Sequence, residues 1–234
     1  MTPNRRLDLA KVHETVVQLR LRIGERFPGC GLHGLAGDLE ALSATVADRA
    51  DGITRPIWWV WALLVTTVVG LGGVIVLLTG EARSTNQPTW TELAQGIDAI
   101  TSELALLVAL VVFLASLQTR IRRRKVVAEV RRLRELAHIV DMLQLTKDPG
   151  GFAGVSLPGT EHSPRRELGP LELARYLDYC AEMLSLIAKL AQFYVARFDD
   201  PEAAEAVTDL EDLTDGLSRK IWQKIMIIHQ AGKV

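Results

Sequence analysis

Cysteine is scarce in this chain: two residues in 234, Cys30 and Cys180, far apart. Together with five histidines they form no CxxC, HxxxH or HExxH pattern, which argues against a metal site and leaves two free thiols as the expectation. No cleavable signal peptide is read, because the first apolar run begins more than fifty residues in. No glycine-rich phosphate loop is present either: Gly150-Gly151 lacks the following lysine and helix pattern. No Ser/His/Asp arrangement can be assigned, so no catalytic residue, cofactor or metal is expected, and an enzyme is not. Strand patterning and internal repeats are missing too. Proline and glycine are absent over the whole stretch from Ile97 to Asp148, and such a stretch holds no helix breaker.

What is present is segregated. The net charge is near neutral at −1, with 48% hydrophobic residues, but two stretches are almost purely apolar. Ile57 to Thr79 contains no charged residue over 23 positions, enough for the roughly 20 residues that a bilayer crossing needs. Trp58, Trp59 and Trp61 stand at one end of it, where indole rings favour the membrane–water interface. Leu104 to Thr119 is shorter, 16 residues. It spans if Ala99 to Ser102 and Glu103 lie at the outer interface, the alternative being a single-span protein with a buried helix. The segment between the runs, Gly80 to Ser102, has one basic residue, Arg83, against Glu81, Glu92 and Asp98. Arg120 to Arg134 has eight basic residues within fifteen positions, with Glu129 the only acid. This asymmetry predicts that the loop is outside and both termini are cytoplasmic.

The predicted fold class is therefore an all-α membrane protein: a two-span transmembrane helical hairpin with a helical cytoplasmic bundle. The expected organisation is an N-terminal helical pair (1–51), span 1 (56–80), an external loop (81–98), span 2 (99–120), its cytoplasmic extension (121–146), a Gly/Pro-rich loop (147–170) and a two-helix C-terminal region (171–234). In the N-terminal pair, Leu9, Val12, Val16, Leu19 and Ile23, then Leu32, Leu35, Leu39, Leu42 and Val46, repeat at helical spacing. Phe27 to Gly31 separates the two, and Asp51-Gly52 ends the second. In the extension, Val126, Val130, Leu133, Ala137, Val140 and Gln144 keep a 4-3-4-3-4 seam. That spacing fits a coiled coil between subunits or packing within one chain. Asp200 and Pro201 read as N-cap and first helical residue of the last helix.

Three features are candidates for function. Thr66, Thr67, Gly70, Ser116 and Gln118 offer polar or small groups within the spans. Glu103 sits where an oligomer would place an acidic ring at the outer mouth, so these six are pore-lining candidates. Glycine and threonine in spans also serve helix packing. The basic set Arg122, Arg123, Arg124, Lys125, Arg131, Lys147, Arg165 and Arg166 offers contacts to an anion, a nucleotide or anionic lipid, and the same run marks the cytoplasmic end of a span. Eight acids fall within seventeen positions between Asp199 and Asp215, with no Lys or Arg. They suit a helix N-terminus, and the acidic helix is also expected to dock near the basic one, in the same or a neighbouring chain.

This layout over about residues 1–146 resembles the SLATT-like two-span effectors of prokaryotic anti-phage and nucleotide-conflict systems. The resemblance lies in architecture, and no functional residue is carried over from it. It implies a homo-oligomer, tetramer or larger, in the bacterial inner membrane. Such an effector forms a pore or disrupts the membrane when a nucleotide or oligonucleotide signal or a protein regulator releases it. The alternative is a non-conducting anchor that recruits a cytoplasmic partner. A two-span magnesium or calcium transporter lacks its expected loop signatures here.

Overall fold

The computed structural model describes residues 7–54, 58–82, 90–152, 160–163 and 168–231. They form six α-helices: α1 (Leu9–Arg26), α2 (Gly31–Thr54), α3 (Trp58–Ala82), α4 (Trp90–Leu145), α5 (Pro170–Val195) and α6 (Pro201–Ala231), with a 3-10 turn at Gly150–Phe152. No strand occurs among the described residues. The chain divides into two compact units, one of Met1–Thr54 with Arg123–Val234, the other Arg55–Arg122.

The first unit is a bundle of five helical segments around one core, contributed by α1, α2, the C-terminal part of α4, α5 and α6. Asp8 caps α1 by accepting a hydrogen bond from the Ala10 N–H at 3.0 Å. The apolar stripe of α1 (Val12, Val16, Leu19, Ile23) is buried, as the spacing predicts. Phe27 ends the helix and meets the rings of Tyr176 and Tyr179 edge-on at 5.6 and 6.3 Å. The chain then reverses through Gly29, whose φ of +73° is open to glycine at little cost. Across the hairpin, His13 Nδ1 lies 2.8 Å from the Ser43 hydroxyl.

Side-chain pairs fix the helix directions. Arg49 meets Glu129, and Gly31 lies against Leu143, so α2 and α4 are antiparallel. Arg123 meets Asp200, Arg134 meets Asp209, and Lys224 meets Gln144, so α4 and α6 run parallel. Gln192 donates to Glu211 at 2.6 Å between the antiparallel α5 and α6. One end of the bundle therefore gathers Thr54, Arg123, the α5–α6 corner and the start of α1. Both points at which the chain leaves the bundle lie there.

One open alternative is decided and three features depart from the expected organisation, each for a physical reason. The seam on α4 is intrachain: Val126, Val130, Leu133, Ala137, Val140 and Gln144 are all buried within one copy. α5 carries no single stripe. Tyr176, Tyr179, Met183, Leu186, Leu190 and Tyr194 are buried beside Leu173, Leu177, Cys180, Leu184, Ile187 and Ala191, because α5 is the central helix and packs against α1, α2 and α6. α2 continues through Gly52 to Thr54, since Ile53 is anchored in the core and outweighs the ~1 kcal/mol that a helical glycine costs. The segment expected as loop 81–98 is helical wherever it is described: α3 continues to Ala82 and α4 begins at Trp90, with Gly96 inside it.

The second unit contains α3 and the N-terminal part of α4. Among its described side chains only Val60 and Leu114 are buried. Leu104, Leu106, Val108, Val112 and Phe113 are all exposed. Among the described residues, one helix is long and apolar enough, by length and composition, to cross a membrane, and it is α4. In α3 the described residues contain a shorter apolar stretch, Val60–Gly70. The run that looked short in sequence is the long helix in structure because nothing interrupts α4 on either side of it.

Candidate functional site

The end of the bundle where the chain leaves it is girdled by ion pairs. Arg123 on α4 donates through Nε and Nη2 to Asp200 Oδ2, at 3.1 and 2.8 Å, and through Nη1 to Glu202. The other oxygen of Asp200 accepts from the Ala203 N–H at 3.1 Å, which caps α6. Asp200 is 3% exposed and so has both oxygens committed, one to a helix terminus and one to a guanidinium. Burial pushes its carboxyl up. The Arg123 hydrogen bond, the Ala203 N–H and the Arg123 charge outweigh this and hold it below the ordinary carboxylate value. The Arg123 pKa is raised in turn, mainly by the Asp200 hydrogen bond.

Glu129 is the second node. It accepts from Arg49 of α2 at 2.8 Å and from Arg132, one helical turn on, at 3.0 and 3.2 Å. Tyr194 of α5 is fully buried beside it. Burial, and then the Glu129 charge, push the phenol up to about 12. Arg197 at the end of α5 pairs with Asp51 near the end of α2. The collar thus links α2, α4, α5 and α6 at the level where α2 and α4 leave the bundle. Its chemistry is positional: it sets the register of α4 against three neighbours.

At the opposite end, about 30 Å away along α4 by helical rise, Lys224 of α6 donates to the Gln144 carbonyl oxygen at 2.8 Å and to its side-chain oxygen at 2.6 Å. A cation on the last carbonyls of a helix is favourable. Gln144 in turn donates to Asp141 at 2.6 Å. Desolvation lowers the Lys224 pKa, opposed by Asp148 and Asp141. Lys147 sits at this end too, 5.4 Å above the Tyr176 ring.

The described basic candidates therefore do not gather at one place. Arg123 is engaged with acids, and Lys147 lies at the far end of the bundle. Arg124, Lys125 and Arg131 are exposed, and no ion pair holds them among the described residues. Arg122 is half-buried, and Arg165 and Arg166 lie outside the described residues. The expected docking of acidic on basic helix occurs within one chain, through Arg123 with Asp200 and Glu202 and through Arg134 with Asp209. In the second unit, the hydroxyls of Thr66, Thr67 and Ser116 donate to the Ala62, Leu63 and Val112 carbonyls of their own helices at 2.8, 2.9 and 2.8 Å. Glu103 and Gln118 are half-exposed, and a Cβ placed on Gly70 would meet nothing within 4 Å. Sequence reading assigned Asp200 as the cap but found neither its partner nor the Arg49–Glu129 and Lys224–Gln144 links. Their only sequence signal is a lone charge beside a buried stripe.

The collar predicts a pH dependence. Because the folded pKa of Asp200 lies below its unfolded one, the carboxylate's contribution is fully present above about pH 4 and is lost as pH falls through the lower folded value. Asp200→Asn keeps a capping side chain but loses the charge. It is expected to be less stable than wild type at pH 7 and to converge with it in acid. Asp200→Ala should lose about 1 kcal/mol more than Asp200→Asn, the usual value of a cap. Urea titrations at pH 7 and pH 3 read both differences. A second expectation concerns Cys180, which is fully buried, with its thiol pushed up to about 12 by burial and then by Cys30. In native protein a maleimide should label the half-buried Cys30 and reach Cys180 only after unfolding. Mass spectrometry of the Cys30→Ser variant, expected to stay unlabelled until denatured, checks this. The chain matches no protein-family model, no curated protein and no solved structure.

Proposed function

We propose that this chain is an oligomeric effector of the bacterial inner membrane. α3 and the N-terminal part of α4 cross the bilayer as a hairpin, with both termini and the bundle in the cytoplasm. The oligomer forms an ion-conducting pore or disrupts the membrane, under control of the bundle, in response to a nucleotide or oligonucleotide signal or a protein regulator. Anti-phage defence is the setting that the two-span layout suggests.

One observation carries this reading. A single uninterrupted helix, α4, supplies both an apolar stretch with almost nothing buried against it and a wall of the bundle core. An apolar helix left bare on all sides has its natural environment in hydrocarbon or against other copies. Two helices enclose no water path, so conduction requires several copies. The density of arginine after Thr119 supports a cytoplasmic bundle. The collar on Arg123 and Glu129 supports α4 as the element that carries a cytoplasmic event to the membrane.

The test is conductance of purified full-length protein in planar bilayers, alone and with a panel of linear and cyclic nucleotides. Gated current supports the proposal. Silence under every nucleotide, together with capture of a soluble partner by the protein, would instead support a non-conducting anchor. Glycines inserted at Val126 address coupling, since regulation that survives them does not pass through α4.

A further inference from the structure

α4 has a second stripe, opposite its buried seam. Residues 124, 128, 131, 135, 138, 142 and 145 repeat at 4-3-4-3-4-3 spacing, and every one is exposed. From the end where the chain leaves the bundle, the stripe reads basic (Arg124 and Arg131, with Ala128 between), acidic (Glu135), then His138, then apolar, with Met142 59% and Leu145 66% exposed. Long apolar side chains on an exposed helical stripe are an unpartnered face.

Elsewhere on the same bundle, α5 and α6 enclose a groove of about 630 Å³. Its floor is small: Ala181, Ser185 and Ala188, at i, i+4 and i+7 of α5. The Gln192–Glu211 hydrogen bond sets the register of its walls. From the same end they read acidic (Glu211, Asp212), then Lys189 beside Asp215, then Trp222, which is 58% exposed. Groove and stripe match in the same axial order: basic residues meet Glu211 and Asp212, Glu135 meets Lys189 with Asp215 next to it, and Met142 meets the aromatic Trp222. A small-residue floor admits a helix closely.

We infer that the α5–α6 groove of one copy receives the outer face of α4 from a second copy of this chain. The inference rests on the oligomeric membrane reading above. Copies in one membrane share an orientation, and in a cyclic assembly equivalent points lie at one height, so like ends of neighbouring bundles meet. That is the pairing the charge order requires. Because groove and stripe are different surfaces, the contact is head-to-tail and repeats around a ring. The ring places α4, the helix with the bare apolar stretch, at every subunit boundary.

Full-length protein in native membranes tests this, in a Cys30→Ser background. Chains carrying Met142→Cys and chains carrying Trp222→Cys, with different tags, are co-expressed and oxidised. The expected result is a mixed cross-linked dimer from the pair and no dimer from either variant alone. Asp212→Arg should cut the mixed product about tenfold or more, as like charges across a contact do. Adding Arg124→Glu and Arg131→Glu to both chains should restore it. Dimers from a single variant, or a mixed product indifferent to charge reversal, overturn the inference. So does a wild-type oligomer that never yields the mixed product, and in that case the effector reading stands. Cross-linking as expected without any conductance sinks the pore and leaves this interface intact.

Discussion

Leu133→Ala is expected to cost the bundle about 3 kcal/mol, within the 2–5 kcal/mol range of leucine truncations in close-packed cores. Leu133 lies at the centre of the α4 seam and is fully buried within one copy. It belongs to a core that also takes Leu39 from α2, Leu184 and Ile187 from α5 and Leu210 from α6. Removing three carbons there forfeits the transfer energy of the side chain and leaves a cavity that rigid helices close only in part. Such a loss is a large part of a typical domain's stability of 5–15 kcal/mol. The same substitution discriminates between the two uses of a 4-3 stripe. A seam that packs inside one chain loses stability independently of protein concentration. A seam that packs between subunits would lose it through dissociation, more steeply on dilution. Urea denaturation of detergent-solubilised protein, repeated over a hundredfold dilution, should show a lowered midpoint that does not move with concentration.

Val111→Arg should keep the apolar part of α4 from inserting into a membrane. Val111 sits in the apolar part of α4 and is 44% exposed. At the centre of a span, valine favours insertion slightly, whereas arginine opposes it by about 2.5–3.5 kcal/mol. The net change of about 3 kcal/mol is more than a hundredfold in an insertion equilibrium. A helix of ordinary soluble character would tolerate the exposed arginine almost freely. An impermeant maleimide applied to intact cells is the measurement, with Ser102→Cys in a Cys30→Ser background: the otherwise wild-type chain is labelled from outside and the Val111→Arg chain is not. Arg131→Glu, exposed on the bundle part of the same helix, is the control that should stay labelled. Equal labelling with and without Val111→Arg would mean that this stretch does not lie in hydrocarbon.

The collar and the seam show how much could be read in advance. The α1 stripe was legible because that helix packs one face on the core and keeps the other in water, which writes a 3.6-residue period into the chain. The Asp200-Pro201 start of α6 was legible because capping is local. α5 was not legible as the central helix: a helix surrounded by others has no polar face, so periodicity marks only part of what is buried. Arg123, Arg124 and Lys125 look alike in sequence, and only the fold separates Arg123, held by Asp200 and Glu202, from its exposed neighbours. Of the polar residues expected to line a pore, Thr66, Thr67 and Ser116 spend their hydroxyls on their own helix, a local competition that spacing alone does not resolve.

Two cysteines with no partner pattern, no helix breaker from Ile97 to Asp148 and two apolar runs around an arginine-poor segment determined, from sequence alone, that this is a helical chain built around long helices. These are properties of neighbouring residues, set by backbone geometry and solvent preference. The tertiary structure decided which surfaces meet. It turned the α4 seam inward, joined basic α4 to acidic α6 within one chain, made α5 the centre of the bundle, and left one face of α4 and one groove uncovered. A helical stripe states that a face must be buried, and the identity of the surface that buries it depends on residues tens of positions away.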